Sequence, residues 1–284
     1  EQLIQFFQNP ARFYLNQNLD ISLYQYAEDI EDNEPFTLDG LTQFQIKQHL
    51  LQDHLYGSSS SKSAVEGELA FGEIGQQHWQ GLELQLQAML NAYAPYKNHV
   101  QSMPLEINAQ FDAGFPRLLG WQYKVFDQYH VQLVPSKFKA KHLIQALLEQ
   151  ASLSAMGYQK QSRLICQDTV VNLSPMAVDT AKQYLKNLMQ IFMSGNQAPL
   201  AFLPETAWQL KAPLSKGART SQQDKAQAVF EGTTGPFGVT GERDDLHLRR
   251  CFGDFDDIPV DTLNYAHDVF AIWLEQELLE VEKL

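Results

Sequence analysis

Hydrolytic, acid–base and metal chemistry needs carboxylates, histidines, thiolates or activated hydroxyls at spacings that bring them together. Asp254, Asp256 and Asp257 form the tightest acidic group of the chain. Hard cations want several oxygen ligands, but Phe255 between these acids and Ile258-Pro259 after them give neither the spacing nor the glycine turn of a calcium loop. The group reads as a solvated turn between helices. The eight histidines, at 49, 54, 78, 99, 130, 142, 247 and 267, stand singly. His49 and His54 are five apart, which does not stack two imidazoles on one helical face, so both are expected to face solvent. His78 has no carboxylate at helical spacing and reads as a partly buried or surface side chain. Cys166 and Cys251 are too few for a disulfide scaffold or a four-thiolate metal site and read as buried apolar thiols. No Gly-Lys pair occurs, which excludes a Gly-x-x-x-x-Gly-Lys-Ser/Thr phosphate loop. His-Glu-x-x-His, Cys-x-x-Cys and Gly-x-Ser-x-Gly are absent too, so zinc-protease, zinc-ribbon and α/β-hydrolase readings lose their main support.

What the chain does offer is an uneven distribution of cations. Over 284 residues it carries 34 acidic and 21 basic side chains, a formal charge of −13. That total rules out a polybasic nucleic-acid sleeve. Residues 1–100, 101–200 and 201–284 carry −9, +3 and −7, so only the middle third is basic. Its densest cluster is Lys137, Lys139 and Lys141, which on charge alone reads as a solvated loop or helix end before it reads as a phosphate site.

The elements that must position these residues follow from periodicity. Apolar positions run at helical intervals from Leu3 to Leu15 on both sides of Pro10, with Asn9 as cap and Pro10 at the first position of a second helix. A helix is expected from about Gly40 to Leu51, with Leu41, Phe44, Gln48 and Leu51 on one face and Asp39 as cap. The Gly-Ser-Ser-Ser-Ser-Lys-Ser stretch at 57–63 reads as a surface loop, and helical periodicity returns from Phe71 to Tyr93. Period two then takes over: residues 103–111, 117–126 and 129–134 read as strands, the last two joined in a hairpin at Asp127-Gln128. A helix from Ala140 to Met156, a strand from Arg163 to Gln167 and a helix starting at Ser174-Pro175 and ending near Gly195 follow. Residues 216–245 read as a polar loop, and a closing helix spans about 261–279. Helix, three strands, helix, strand, helix suits an α/β fold with a mixed sheet flanked by helices. A hydrophobic fraction of 44% supplies a real core. No membrane span or secretion signal stands out, so a soluble, cytoplasmic protein is expected; the first residue, Glu1, suggests a fragment of something longer.

Several short segments together resemble one family. Phe7-Gln8-Asn9-Pro10-Ala11-Arg12-Phe13-Tyr14-Leu15, Glu34-Pro35-Phe36-Thr37-Leu38-Asp39-Gly40-Leu41, Ala70-Phe71-Gly72-Glu73-Ile74, Gly120-Trp121, Ala198-Pro199-Leu200, Leu203-Pro204-Glu205 and Phe230-Glu231-Gly232 occur in the family's order. The family is the C-terminal domain of RecC, the gamma subunit of exodeoxyribonuclease V, the RecBCD helicase-nuclease. The resemblance implies a PD-(D/E)XK nuclease-like core with extra helices at both ends. It places that core at 71–195, N-terminal helices at 1–56 and a C-terminal helical region at 196–284, within a single RecC-type domain fragment over 1–284. It implies RecB and RecD as partners, DNA within that complex, and no cofactor. Active members of the superfamily hold a divalent metal with an Asp on one strand and an Asp/Glu-x-Lys on the next, and the RecB-like branch adds a His four residues after a Gly. Carried onto this chain, those places are Gln76, Tyr123, Pro135 and Lys137. Asp/Glu-x-Lys occurs nowhere in the sequence. The resemblance therefore implies an erased catalytic site. Related AddB-type domains carry an iron–sulfur Cys where this chain has Asn9, and two cysteines cannot complete such a cluster.

Three readings follow. The first is a non-catalytic scaffold and DNA guide, with Lys124, Lys137, Lys139, Lys141, Lys160 and Arg163 as phosphate contacts. Trp121 and Tyr123, two apart on one strand face, are expected in the core; exposed, they could stack on bases. The second is a protein-interaction module whose acidic flanks dock on partner subunits. The third is a metal-dependent nuclease with a migrated carboxylate, for which Glu106 and Asp112 are the candidates.

Overall fold

The computed structural model describes residues 1–23, 38–56, 69, 72–97, 103–112, 115–126, 128–214, 217–233 and 238–284. The expectations at 57–63 and at Asp127 lie outside them.

Helices α1 (Gln2–Gln8) and α2 (Pro10–Asn18) meet at Asn9, whose side chain accepts from the Arg12 N–H at 2.9 Å while Pro10 takes the first helical position. This is the junction expected from the sequence. Phe6 and Phe7 turn inward and pack edge to face against Phe13, Phe192 and Phe202. Helix α3 (Gly40–Tyr56) starts at Asp39, whose Oδ1 accepts from the Leu41 and Thr42 amides. It runs a turn further than the sequence indicates, and its buried residues are Ile46, Lys47, Leu50 and Leu51, whereas Leu41 is exposed. Helix α4 (Glu73–Tyr93) follows and packs on α3, with Leu82, Leu86 and Met89 buried.

Two sheets carry the β-structure. Strands β1 (Leu105–Ala109) and β2 (Leu118–Gln122) form an antiparallel two-stranded ribbon. The main sheet has the order β3-β4-β5-β6, from β3 (Tyr129–Leu133), β4 (Gln161–Ile165), β5 (Thr169–Leu173) and β6 (Leu279–Lys283). β3 and β4 are parallel, joined through helix α5 (Ala140–Ala155); the remaining pairs are antiparallel, so the sheet is mixed as expected. The expected 117–126 to 129–134 hairpin shrinks to one bridge, Val125 to His130, because β2 pairs with β1 instead.

Alternation along the strands divides the core. Leu164, Val171 and Leu173 face α5 and helix α6 (Val178–Gly195), while Val131, Ile165 and Val170 face α3 and α4. Helices thus cover both faces of the sheet. α5 is the most enclosed helix among those described, with Leu143, Ile144, Leu147, Leu148 and Ala151 all buried. α6 begins at Val178 rather than at Ser174, since the Ser174 amide donates to the Leu278 carbonyl and extends the sheet edge.

The last third differs most from its sequence reading. Helix α7 (Pro204–Lys211) is followed by α8 (Gln222–Glu231), which lies inside the stretch read as a polar loop. Ser221 and Asp224 form a capping box there, and Ala226 with Phe230 supplies the buried face. Helix α9 (Leu246–Phe252) leads through Asp254, Asp256 and Asp257 into α10 (Val260–Ala266), a π-turn at His267–Ala271 and α11 (Ile272–Glu275). Arg249 pairs with Asp254 at 2.8 Å across that turn. The chain then enters β6, which starts where the expected closing helix ends and is not anticipated by the sequence reading. Among the described residues no helix is long and apolar enough to cross a membrane.

Candidate nucleic-acid interface

The β1–β2 ribbon presents two unlike faces. Its register pairs Glu106 with Trp121 and Asn108 with Leu119, and these four point outward. Ile107, Ala109 and Gln122 point inward and are buried. Arg117 Nη2 donates to Asn108 Oδ1 at 2.8 Å on the outer face. Trp121 is 57% exposed, Tyr123 60% and Leu119 63%, which corrects the expectation of a core position for the two aromatic residues. The physical reason is parity: Gln122 takes the inward place, so its neighbours on both sides are turned out. Tyr123 stands one residue beyond β2, and Lys124 follows with φ of +55°, a left-handed conformation that turns the chain so that Val125 and Phe126 enter the core. Tyr123 and Lys124 therefore project at the end of the ribbon.

The basic residues separate into free and occupied cations. Lys124, Lys137, Lys139 and Lys141 are exposed. Lys139 caps the start of α5, and the Glu205 carboxylate accepts from the Ala140 N–H at 2.8 Å, satisfying that helix end. Burial raises the Glu205 carboxyl pKa against those backbone hydrogen bonds and the neighbouring Lys139 and Lys141. Burial also lowers the Lys141 pKa, helped by Lys139 and opposed by Glu205. Lys160, by contrast, donates to the Phe126 carbonyl at 3.1 Å, and the Arg163 guanidinium sits 5.4 Å from the Tyr96 ring centroid. Sequence reasoning missed Lys47. This α3 lysine is 8% exposed, reaches Gln167 Oε1 at 3.5 Å, and has its pKa lowered by burial and then by Lys137. Its position in the sequence, amid an otherwise polar helix turn, gives no signal of this.

The four places carried over from the nuclease pattern lie on different stretches of the fold. Gln76 is exposed in the first turns of α4. The Val125–His130 bridge and the Val131 N–H to Lys124 carbonyl hydrogen bond set Tyr123 beside the middle of β3, whereas Pro135 and Lys137 follow its C-terminal end. Beyond Lys137, the Asp168 carboxylate accepts from the Phe138 amide at 2.7 Å. Asp112 pairs with Lys186, and Glu106 lies opposite Trp121 on the outer ribbon face. Among the described residues no group of three His, Cys, Asp or Glu side chains is arranged to hold a metal ion.

One buried polar network does resemble catalytic apparatus. His130 Nδ1 lies 3.1 Å from Ser162 Oγ, and His130 Nε2 lies 3.4 Å from Glu149 Oε2. Burial holds the His130 pKa down at about 4 and pushes the Glu149 carboxyl up, so the imidazole is neutral near pH 7. Ser162 donates to Gln150, and Gln145 and Gln132 donate to Glu149. Ser162 is 1% and His130 2% exposed. A serine sealed in this way meets no substrate, and the network joins β3, β4 and α5 as structure.

Curated relatives and a family model match this chain. It is 26% identical over 264 residues to the RecBCD enzyme subunit RecC of Escherichia coli (strain K12), covering 89% of this chain and 23% of that protein. The RecBCD enzyme subunit RecC of Mycolicibacterium smegmatis is 26% identical over 219 residues, 73% of this chain and 20% of the relative. That of Haemophilus influenzae is 23% identical over 214 residues, 67% and 18%. The chain thus spans about a quarter or less of the length of these relatives. The family model described as the RecC C-terminal domain matches residues 1–212, from α1 to the end of α7. The chain belongs to the RecC C-terminal domain family.

Proposed function

We propose that this chain is a non-catalytic, nuclease-like domain of a RecC-type subunit, with its core over 71–195. In this reading it scaffolds RecB- and RecD-type partners and guides a DNA strand inside an exodeoxyribonuclease V complex for double-strand break repair. The observation that carries the guide role is the outer face of the β1–β2 ribbon: Trp121, Tyr123 and Leu119 are open to solvent beside Arg117 and Lys124. Exposed aromatic rings with cations at their edge stack on unpaired bases and hold the phosphates between them; stacking contributes about 1–3 kcal/mol per base. Lys137, Lys139 and Lys141 extend the free cations from the end of β3 to the start of α5.

Replacing Lys137, Lys139 and Lys141 by Ala is expected to weaken DNA binding and to reduce its salt dependence, by a slope of roughly one per lost phosphate contact. An unchanged affinity and slope would remove these lysines from the path. The non-catalytic part predicts that linear DNA stays intact with the purified chain in Mg²⁺. Cleavage that a single Glu106→Ala or Asp112→Ala substitution abolishes would establish the migrated-carboxylate nuclease instead.

The scaffold role has its own support at α9 and α10. Leu246, Phe252, Val260 and Leu263 are exposed there beside Asp244, Asp254, Asp256 and Asp257. An exposed apolar surface edged by these acids and by Arg249 and Arg250 suits a protein partner.

A further inference from the structure

A cavity of about 480 Å³ opens where α1, α2 and the start of α5 converge. Its wall carries the cations of Arg12 and Lys141 and the carboxamides of Gln5, Gln8, Asn16 and Gln17, and no carboxylate lines it. In a chain of net charge −13, a concavity with two cations and no acid is a departure that needs a cause.

The local chemistry explains how it is held open. Asn9 bends the chain between α1 and α2 and is fully engaged, its Oδ1 accepting from the Arg12 amide and its Nδ2 donating to Asp245. Gln8 Nε2 donates to the Lys141 carbonyl at 3.0 Å, which ties the bend to α5. Arg12 and Lys141 then face each other as like charges, close enough for Arg12 to oppose protonation of Lys141. Neither side chain forms an ion pair among the described residues. Glu205, the acid nearest to Lys141, is turned onto the α5 backbone amides.

Two unpaired cations held against their own repulsion ask for an anion between them. Guanidinium and ammonium donors suit phosphate oxygens. Gln17 and the amide oxygens of Gln5 and Gln8 supply hydrogen-bonding groups of the kind that base edges require, the Gln5 and Gln8 amide nitrogens already donating to Glu1 and to the Lys141 carbonyl. The volume falls within the roughly 300–1,000 Å³ of sites that enclose a small ligand, which is room for one nucleotide and excludes a duplex. We propose that this cavity is a binding site for one nucleotide of a single strand, its phosphate between Arg12 and Lys141 and its base against the carboxamides. The proposal deepens the strand-guide reading and rests on it, adding a second contact point apart from the β1–β2 ribbon.

The test is fluorescence anisotropy of a 5′-labelled oligothymidylate titrated with the 284-residue chain at about 50 and about 200 mM salt, with thermal midpoints recorded to show that each variant folds. Arg12→Ala and Lys141→Ala should each weaken binding roughly 10-fold and lower the log–log salt slope by about one. Gln17→Ala should weaken binding with the slope unchanged. Lys182→Ala, on the exposed face of α6, should leave both as they are. Inorganic phosphate should compete at high concentration, while polyglutamate at equal charge should not; equal displacement by polyglutamate would make this an acidic-peptide site and overturn the proposal. Wild-type binding that Arg12→Ala leaves unaltered, but that Trp121→Ala or Lys124→Ala weakens, would overturn the cavity and keep the strand-guide reading. Absence of wild-type binding at the lower salt would overturn both.

Discussion

Lys160 and Arg163 lie in the basic third of the sequence, yet their cations are committed to the fold, one to the Phe126 carbonyl and one to the Tyr96 ring. Arg12, in the acidic first third, forms no ion pair among the described residues and lies beside Lys141. Sequence composition counts charges; hydrogen bonds decide which of them are available. The same holds for the aromatic residues: Trp121 and Tyr123 look like core by type and are surface by strand parity. Burial also gives two residues opposite effects on pH dependence. Glu242 accepts from the Glu205 and Thr206 amides at the start of α7, and burial pushes its pKa up to about 7. A carboxyl whose folded pKa is raised contributes stability fully below its unfolded value, near 4.5, and loses it as pH rises through about 7. His130, held at about 4, contributes fully above about 6.5 and loses its contribution as pH falls through about 4. Glu242→Gln is therefore expected to flatten the decline in thermal midpoint between about pH 4.5 and 7 without altering the acid limb. An unchanged profile would show that the carboxyl titrates at its ordinary value.

At the scale of elements, the helices with strong local signals were legible and the strands with distant partners were not. Asn9-Pro10 and Asp39 cap the helices they should, because a cap is decided within four residues. β5 and β6 pair Thr169–Leu173 with Leu279–Lys283, about 110 positions away, so neither segment carries a local signal of its place. α8 hides in a Gln-rich stretch because Ala226 and Phe230 alone provide its buried face. Its start rests on the capping box, and Ser221→Ala should cost about 1 kcal/mol in urea unfolding. Packing between elements sets a larger effect at Gly195, at the end of α6. A Cβ there would meet the Phe6 ring at 2.3 Å, and Phe6 is wholly buried among other aromatic rings. Gly195→Ala should destabilise the chain by about 1–3 kcal/mol, and Phe6→Leu in the same chain should relieve part of the loss. A substitution at Gly195 that costs nothing would show that α1 is not seated on α6 as described.

For the whole molecule, the family and the mixed α/β class were readable from short segments in order and from the periodicity of the middle third. The candidate site was readable only in part. Lys124, Lys137, Lys139 and Lys141 are exposed as a phosphate path requires, whereas Lys47, Arg12 and the open face of the β1–β2 ribbon emerge from tertiary placement. The charge pattern acquires a spatial meaning: Lys124, Lys137, Lys139 and Lys141 are exposed at the end of the ribbon and the start of α5, the surface at which the proposed strand guide would meet DNA. The measurement that reaches this claim most directly is photo-crosslinking of a single strand carrying 5-iodouracil, followed by mass-spectrometric mapping of the attached residues. Adducts at Trp121 and Tyr123 are predicted. Adducts confined to other surfaces, such as the outer face of α6, would contradict the guide role of the ribbon.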